Sequence, residues 1–278
     1  MKNILKIMLM MITIFTIAGS AVYAAEIPVS DQDQLITSRD WTEISNLQDE
    51  MKKEEPDATI DYDKALKVYV DCNLIKLQTA DTKKLTSALE SANYVWVIPF
   101  KMEKTYGMFT VAKGLPLREE AKSVLTKAEQ EEVKNHAGKW MITETAEHTV
   151  EPYYDILLEK REALSDCTRV VLVGSQPGMR QPVALGMDDE TARVWISLGY
   201  QYPVMEKIPE TQNVESGVYS FDSVAEISDT YIEDSEVSTG VGVQSRSSMK
   251  YVAGIGIIVI GSILILSVLK KKKLEDYE

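Results

Sequence analysis

Nineteen consecutive residues near the C-terminus, Tyr251 to Leu269, carry no charge. At about 1.5 Å per residue, a helix of this length nearly matches a hydrocarbon core of about 30 Å, so the stretch predicts a single membrane span. Lys250 precedes it, and Lys270, Lys271, Lys272 and Lys273 follow it. A lysine cluster of this kind marks the cytoplasmic side, which places the bulk of the chain outside the cytoplasm. The tail lysines also attract anionic headgroups, at about 1 kcal/mol each near the surface.

The opposite end agrees with that orientation. Lys2 and Lys6 form a charged start, Ile7 to Ala18 is almost wholly apolar, and Ala21-Val22-Tyr23-Ala24-Ala25 offers small residues at a cleavage position. This is the pattern of an export signal, expected to occupy residues 1–25. The C-terminal helix with its basic tail also resembles the sorting signal of sortase substrates. The recognition motif departs, however: Ser238-Thr239-Gly240 lacks the Leu-Pro, and Ile208-Pro209-Glu210-Thr211-Gln212 lies far upstream without the glycine. An ordinary single-span anchor is expected.

Without the two lysines of the leader and the four lysines and three acids of the tail, 24 basic and 40 acidic residues remain, a net charge of −16. That balance excludes nucleic acid as a partner, because such binding neutralises phosphates with Lys and Arg. The charge serves solubility first, with cationic partners as a further use. Two cysteines, Cys72 and Cys167, fall in the exported part. An even count there permits one disulfide, and two separate buried thiols account for the same positions equally well.

Between the ends, Glu26 to Ile60 is polar, with Trp41, Ile44, Leu47 and Met51 at helical spacing; it reads as a lead-in segment with one short helix. Residues 61–202 carry the signals of an extracytoplasmic domain. Leu66, Val68 and Val70 alternate with Lys67, Tyr69 and Asp71 as in a half-buried strand, and Asp81 or Thr82 caps a helix bearing Leu85, Ala88, Leu89 and Ala92. Tyr94–Phe100 is an apolar strand whose Pro99 suits an edge or bulge, and Tyr106–Ala112 returns beside it. Leu117, Ala121, Val124 and Leu125 describe a helix face, and Thr126 with Glu129 makes a capping box for a second helix that ends at Gly138. Trp140–Thr145, Arg169–Val173, Val183–Met187 and Ala192–Leu198 read as strands, with a helix after Pro152 bearing Tyr154, Leu157, Arg161 and Leu164.

Hairpins interspersed with short helices predict an α+β fold on a mainly antiparallel sheet, plus the single C-terminal transmembrane helix. Residues 203–250 lose the apolar period among scattered acids and read as a disordered stalk, followed by the span at 251–269 and the basic tail at 270–278.

No motif fixes a reaction. Ser175 follows a strand, but Pro177 and Gly178 do not make the glycine-flanked elbow of a hydrolase nucleophile. His136 and His148 lack metal-site spacing, and Asp31-x-Asp33 and Asp188-Asp189-Glu190 lack the calcium loop's central glycine and distal glutamate. Tyr94, Trp96, Phe100, Tyr106, Phe109, Trp140 and Trp195 fall mostly on strands and are read as core. No cofactor and no catalytic residue is assigned. The pattern fits a non-enzymatic binding or accessory module held at the membrane, with a protein or small-ligand partner outside the cell. The alternatives are an envelope hydrolase working through Asp and Glu, and a single-pass sensor or complex subunit, against which stands the lack of a Gly-x-x-x-Gly motif in the span.

Overall fold

The β-branched runs Leu66-Lys67-Val68-Tyr69-Val70 and Arg169-Val170-Val171-Leu172-Val173 form the two central strands, and they lie side by side in parallel. The computed structural model describes residues 27–148, 152–174, 176, 179, 182–198, 208 and 213–229. Ten strands occur among them: β1 (Thr59–Ile60), β2 (Leu66–Val70), β3 (Asn93–Lys101), β4 (Tyr106–Lys113), β5 (Trp140–His148), β6 (Arg169–Val173), β7 (Val183–Met187), β8 (Ala192–Ser197), β9 (Asn213–Glu215) and β10 (Val218–Ser220). They make one sheet in the order β5-β4-β3-β2-β6-β7-β8-β10-β9, with β1 pairing on β3. Every pairing except β2 with β6 is antiparallel, so two meanders meet at one parallel joint. The chain is α+β with a mostly antiparallel, mixed sheet.

Helices cover both faces. On the first face, α1 (Trp41–Ile44) and α2 (Gln48–Glu54) lie over Trp96, Ile98, Phe100, Phe109 and Val111. Over the other half of that face, α3 (Thr82–Ser91) and α6 (Phe221–Asp229) pack on Val171, Leu185, Trp195 and Tyr219. On the second face, α5 (Tyr153–Glu159) buries Tyr153 and Leu157 against Val68, Val170, Leu172 and Ala184. Asp81 caps α3 by accepting from the Lys83 and Lys84 amides, as its sequence position predicts.

Four expectations are corrected. Strand β2 is buried on both faces rather than half-buried, because β6 continues the sheet beside it and helices cover both sides. The lead-in segment is part of the fold: Ile27 and Val29 pack on the second face, Val29 bridges Val170, and Leu35, Ile44, Met51 and Ala58 enter the core. Ile44 and Met51 enter it from short helices at the spacing the sequence shows, whereas Ile27, Val29, Leu35 and Ala58 are inserted one at a time from irregular chain, so no period announces those four. The expected helix over 117–125 is only a 3-10 turn at Glu120–Ser123, and Val124 is exposed. These residues belong to an excursion joining β4 to β5, closed at its base where the Gly138 amide donates to the Gly114 carbonyl, and no sheet lies beneath it to reward a helical face. The capping box at Thr126 does start α4 (Lys127–His136), and Gly138, at φ 75°, takes the left-handed position beyond its end.

The fourth correction concerns residues 213–229, expected within the stalk. Strand β10 pairs with β8, and Val218, Tyr219, Phe221 and Val224 are buried. Ile208 is also buried against the first face; the rest of the expected stalk, the export signal, the span and Lys250, Lys270, Lys271, Lys272 and Lys273 lie outside the described residues. Among the described residues no helix is long and apolar enough to cross a membrane. Pro99 sits in an interior strand, yet at a gap in the ladder: β2 pairing reaches Val97, β1 pairing begins at Phe100, and the Pro99 carbonyl takes the Asp61 amide between them.

Candidate functional site

Polar side chains converge where the two halves of the first face meet. Alternation along β2 directs Lys67 and Tyr69 to that face, and the parallel register with β6 brings Arg169 beside them. The 3-10 turn Asp31–Asp33 lowers Asp33 onto the group, where it is 2% exposed. Asp33 accepts from Arg169 at 2.8 and 3.2 Å, from the Tyr69 hydroxyl at 2.7 Å and from Ser30 at 2.6 Å, and its other close cation is Lys67 at 3.6 Å. Asp40, at the start of α1, accepts from the Tyr94 hydroxyl at 2.9 Å and the Trp96 indole at 3.1 Å.

The Lys67 ammonium stands 4.7 Å from the ring centre of Tyr94, 5.3 Å from Trp96 and 5.7 Å from Tyr69. Burial pulls its pKa below the usual lysine range, while Asp33 and Asp40 oppose that shift. Burial likewise pushes the Tyr69 hydroxyl upward, reinforced by the Asp33 carboxylate. Asp33 is thus committed to Arg169 and Lys67, and Asp40 to Tyr94 and Trp96. The arrangement ties the N-terminal segment to β2, β3 and β6.

A second carboxyl stands apart. One extra residue, Thr143, bulges from β5 opposite β4, and the shift turns Glu144 onto the second face opposite Thr110. There Glu144 is half-buried near Tyr153, and burial pushes its pKa up to about 7. The folded state then holds a proton that the unfolded chain releases near pH 4.5, so the stability it contributes is present below that pH and lost as the pH rises through about 7. Glu144→Gln is expected to raise stability by about 2 kcal/mol at pH 8, after allowance for solvent reaching the carboxyl, and to leave it unchanged at pH 4. Chemical unfolding at the two pH values checks this, and equal midpoints at pH 8 would refute it.

The rim of β5 is acidic as well. Thr145 donates to Glu54 at the end of α2, and the Glu55 carboxyl is pushed up by burial and by its neighbours Glu147 and Glu54. None of Glu54, Glu55, Glu144 and Glu147 has an ion-pair partner among the described residues. On its outer side, the nine-residue β5 meets no backbone partner among the described residues.

The residues singled out in the sequence are dispersed. Cys72 and Cys167 are both free; Cys72 packs against the first face and Cys167 against the second, so the sheet separates them. The Cys167 sulfur fills the space left by Gly186, whose Cβ would stand 2.7 Å from it, and burial pushes both thiols to about 11. Asp188 closes its turn by accepting from the Glu190 and Thr191 amides and pairing with Arg193. Asp31 is exposed while Asp33 joins the buried cluster, and among the described residues no group of acids, histidines and cysteines could hold a metal ion. His136 is half-buried at the end of α4; Ser175 and the His148 side chain lie outside the described residues. Of the aromatics, Trp96, Phe100, Phe109, Trp140 and Trp195 are core, and Tyr94 and Tyr106 are half-buried. Comparisons with protein-family models, with curated proteins and with solved structures found no match.

Proposed function

We propose that the chain is a membrane-anchored extracytoplasmic binding or accessory module that works through protein contacts rather than by turnover. The observation that carries this reading is the outer side of β5, a nine-residue edge strand with no backbone partner among the described residues. Such an edge offers a ready row of amide donors and carbonyl acceptors to a second chain. The export signal at 1–25, the span at 251–269 and the lysines around it support placing the domain outside the membrane with its tail in the cytoplasm. The excess of acidic residues supports a partner other than nucleic acid.

In-cell cross-linking of the full-length chain, followed by mass spectrometry of what is captured, tests the proposal. A reproducible partner is expected, with cross-links to residues 27–229 that a chain lacking them does not give. Capture no greater than that control, or turnover of an envelope substrate by the purified protein, would overturn it.

A further inference from the structure

An open strand edge is usually defended against indiscriminate pairing, and β5 carries two such defences. The bulge at Thr143 interrupts the ladder, and Glu144 is a carboxyl turned inward on an edge strand. Neither closes the stretch beyond the bulge, where residues 144–148 pair regularly with β4 from Thr110 to Tyr106. Along that stretch the acids lie on both sides of the sheet plane: Glu144 shares the second face with Thr110, and Glu147 sits on the first face near Glu55. Glu54, bound by Thr145, adds a third carboxylate to the first-face side.

These acids discriminate between occupants. A second copy of β5 laid alongside would crowd Glu144, Glu147, Glu54 and Glu55 towards the same acids of the other copy, and like charges across a strand pair destabilise it. An apolar segment would leave the carboxylates desolvated beside it without compensation. An extended segment bearing Lys or Arg at alternate positions meets both requirements, since its backbone completes the ladder while its cations reach the glutamates on one face.

We infer that the outer edge of β5 over residues 144–148 is a docking site for an extended basic peptide, which adds a strand to the sheet and pairs its cations with Glu147, Glu55 and Glu54. The inference rests on the binding reading above and narrows it to one edge and one partner chemistry. Because each rim pair is partly solvated, the charges select the partner and set the association rate, and the ladder holds it.

The test uses full-length chain in neutral detergent and a ten-residue peptide alternating lysine and valine, blocked at both ends. Two control peptides are a glutamate-valine version and a fully backbone-N-methylated lysine-valine version that keeps every charge but lacks the amide donors of a strand. Amide hydrogen exchange over residues 140–148 is expected to slow at least tenfold with the lysine-valine peptide and to be unaffected by either control. The double variant Glu55→Lys, Glu147→Lys, on the rim of the fold, is expected to weaken binding about tenfold. Equal binding of the N-methylated peptide, or no protection of 140–148, would overturn the strand-addition site. Cross-linked partners mapping to another surface, with β5 unprotected, would remove this site alone and leave the binding reading standing.

Discussion

A chain stopped after residue 202 is expected to lose cooperative thermal unfolding, while one stopped after Asp229 keeps it. The shorter chain lacks Val218, Tyr219, Phe221 and Val224, each no more than 2% exposed. Full burial of such a side chain contributes about 1.5–3 kcal/mol, so the four together approach the whole stability of an ordinary domain, about 5–15 kcal/mol. What remains is also damaged. Strand β8 loses its ladder with β10, and Trp195 loses Phe221, whose ring centre lies 6.1 Å away, and Tyr219. Circular dichroism melts of the two truncated proteins provide the check. Were residues 203–229 a spacer only, both would melt alike.

Asp33→Ala is expected to cost about 3–5 kcal/mol, because it leaves the buried Lys67 and the part-buried Arg169 without their shared counter-charge. The Tyr69 hydroxyl and Ser30 lose their acceptor at the same time. The loss should show as a lower denaturant midpoint and as faster amide exchange in the 27–58 segment that Asp33 anchors. The triple variant Asp33→Leu, Lys67→Met, Arg169→Met is expected to recover most of the stability, since removing the three paired charges together also removes their desolvation penalty. If the single and triple variants were equally unstable, packing rather than charge would be the cause. A wild-type midpoint for Asp33→Ala would show that the cluster contributes nothing.

The parts of this fold that could be read in the sequence are those whose local chemistry agrees with their tertiary setting. Asp81 caps the apolar face of α3, Thr126 and Glu129 make a capping box before α4, and Tyr94–Phe100 is a continuous apolar run of strand formers in β3. The failures share a different cause. Ile27, Val29, Leu35 and Val218 are held by neighbours distant in sequence, such as Val170 for Val29 and Ile196 for Val218, so no local repeat marks them. Leu117 to Leu125 shows the converse: the repeat is present, but no surface beneath it gives it a use.

The polar residues follow the same rule. Lys67 alternates with Leu66 and Val68 as a solvent-facing residue would, and only the arrival of β6 and the Asp31–Asp33 turn buries it. A basic residue within one otherwise apolar strand, and another opening a second, was the available signal, and it does not identify the partner acid. Glu144 was hidden because the bulge at Thr143 reverses the face that simple alternation assigns.

The parallel joint at the centre of the sheet also bears on how the chain acquires its structure. Val68 and Leu172 meet across it although about a hundred residues separate them, whereas β2, β3, β4 and β5 follow one another in sequence as they do in the sheet. A chain that emerges N-terminus first therefore completes its first meander while the inner edge of β2 still lacks its neighbour. That edge carries Leu66, Val68 and Val70, the kind of apolar, β-branched strand that recruits the wrong chain. Closure waits for Arg169–Val173, and contacts of such long range are slow to form. The most vulnerable moment in the life of this protein is thus the interval between the two halves, when its future centre is still an edge.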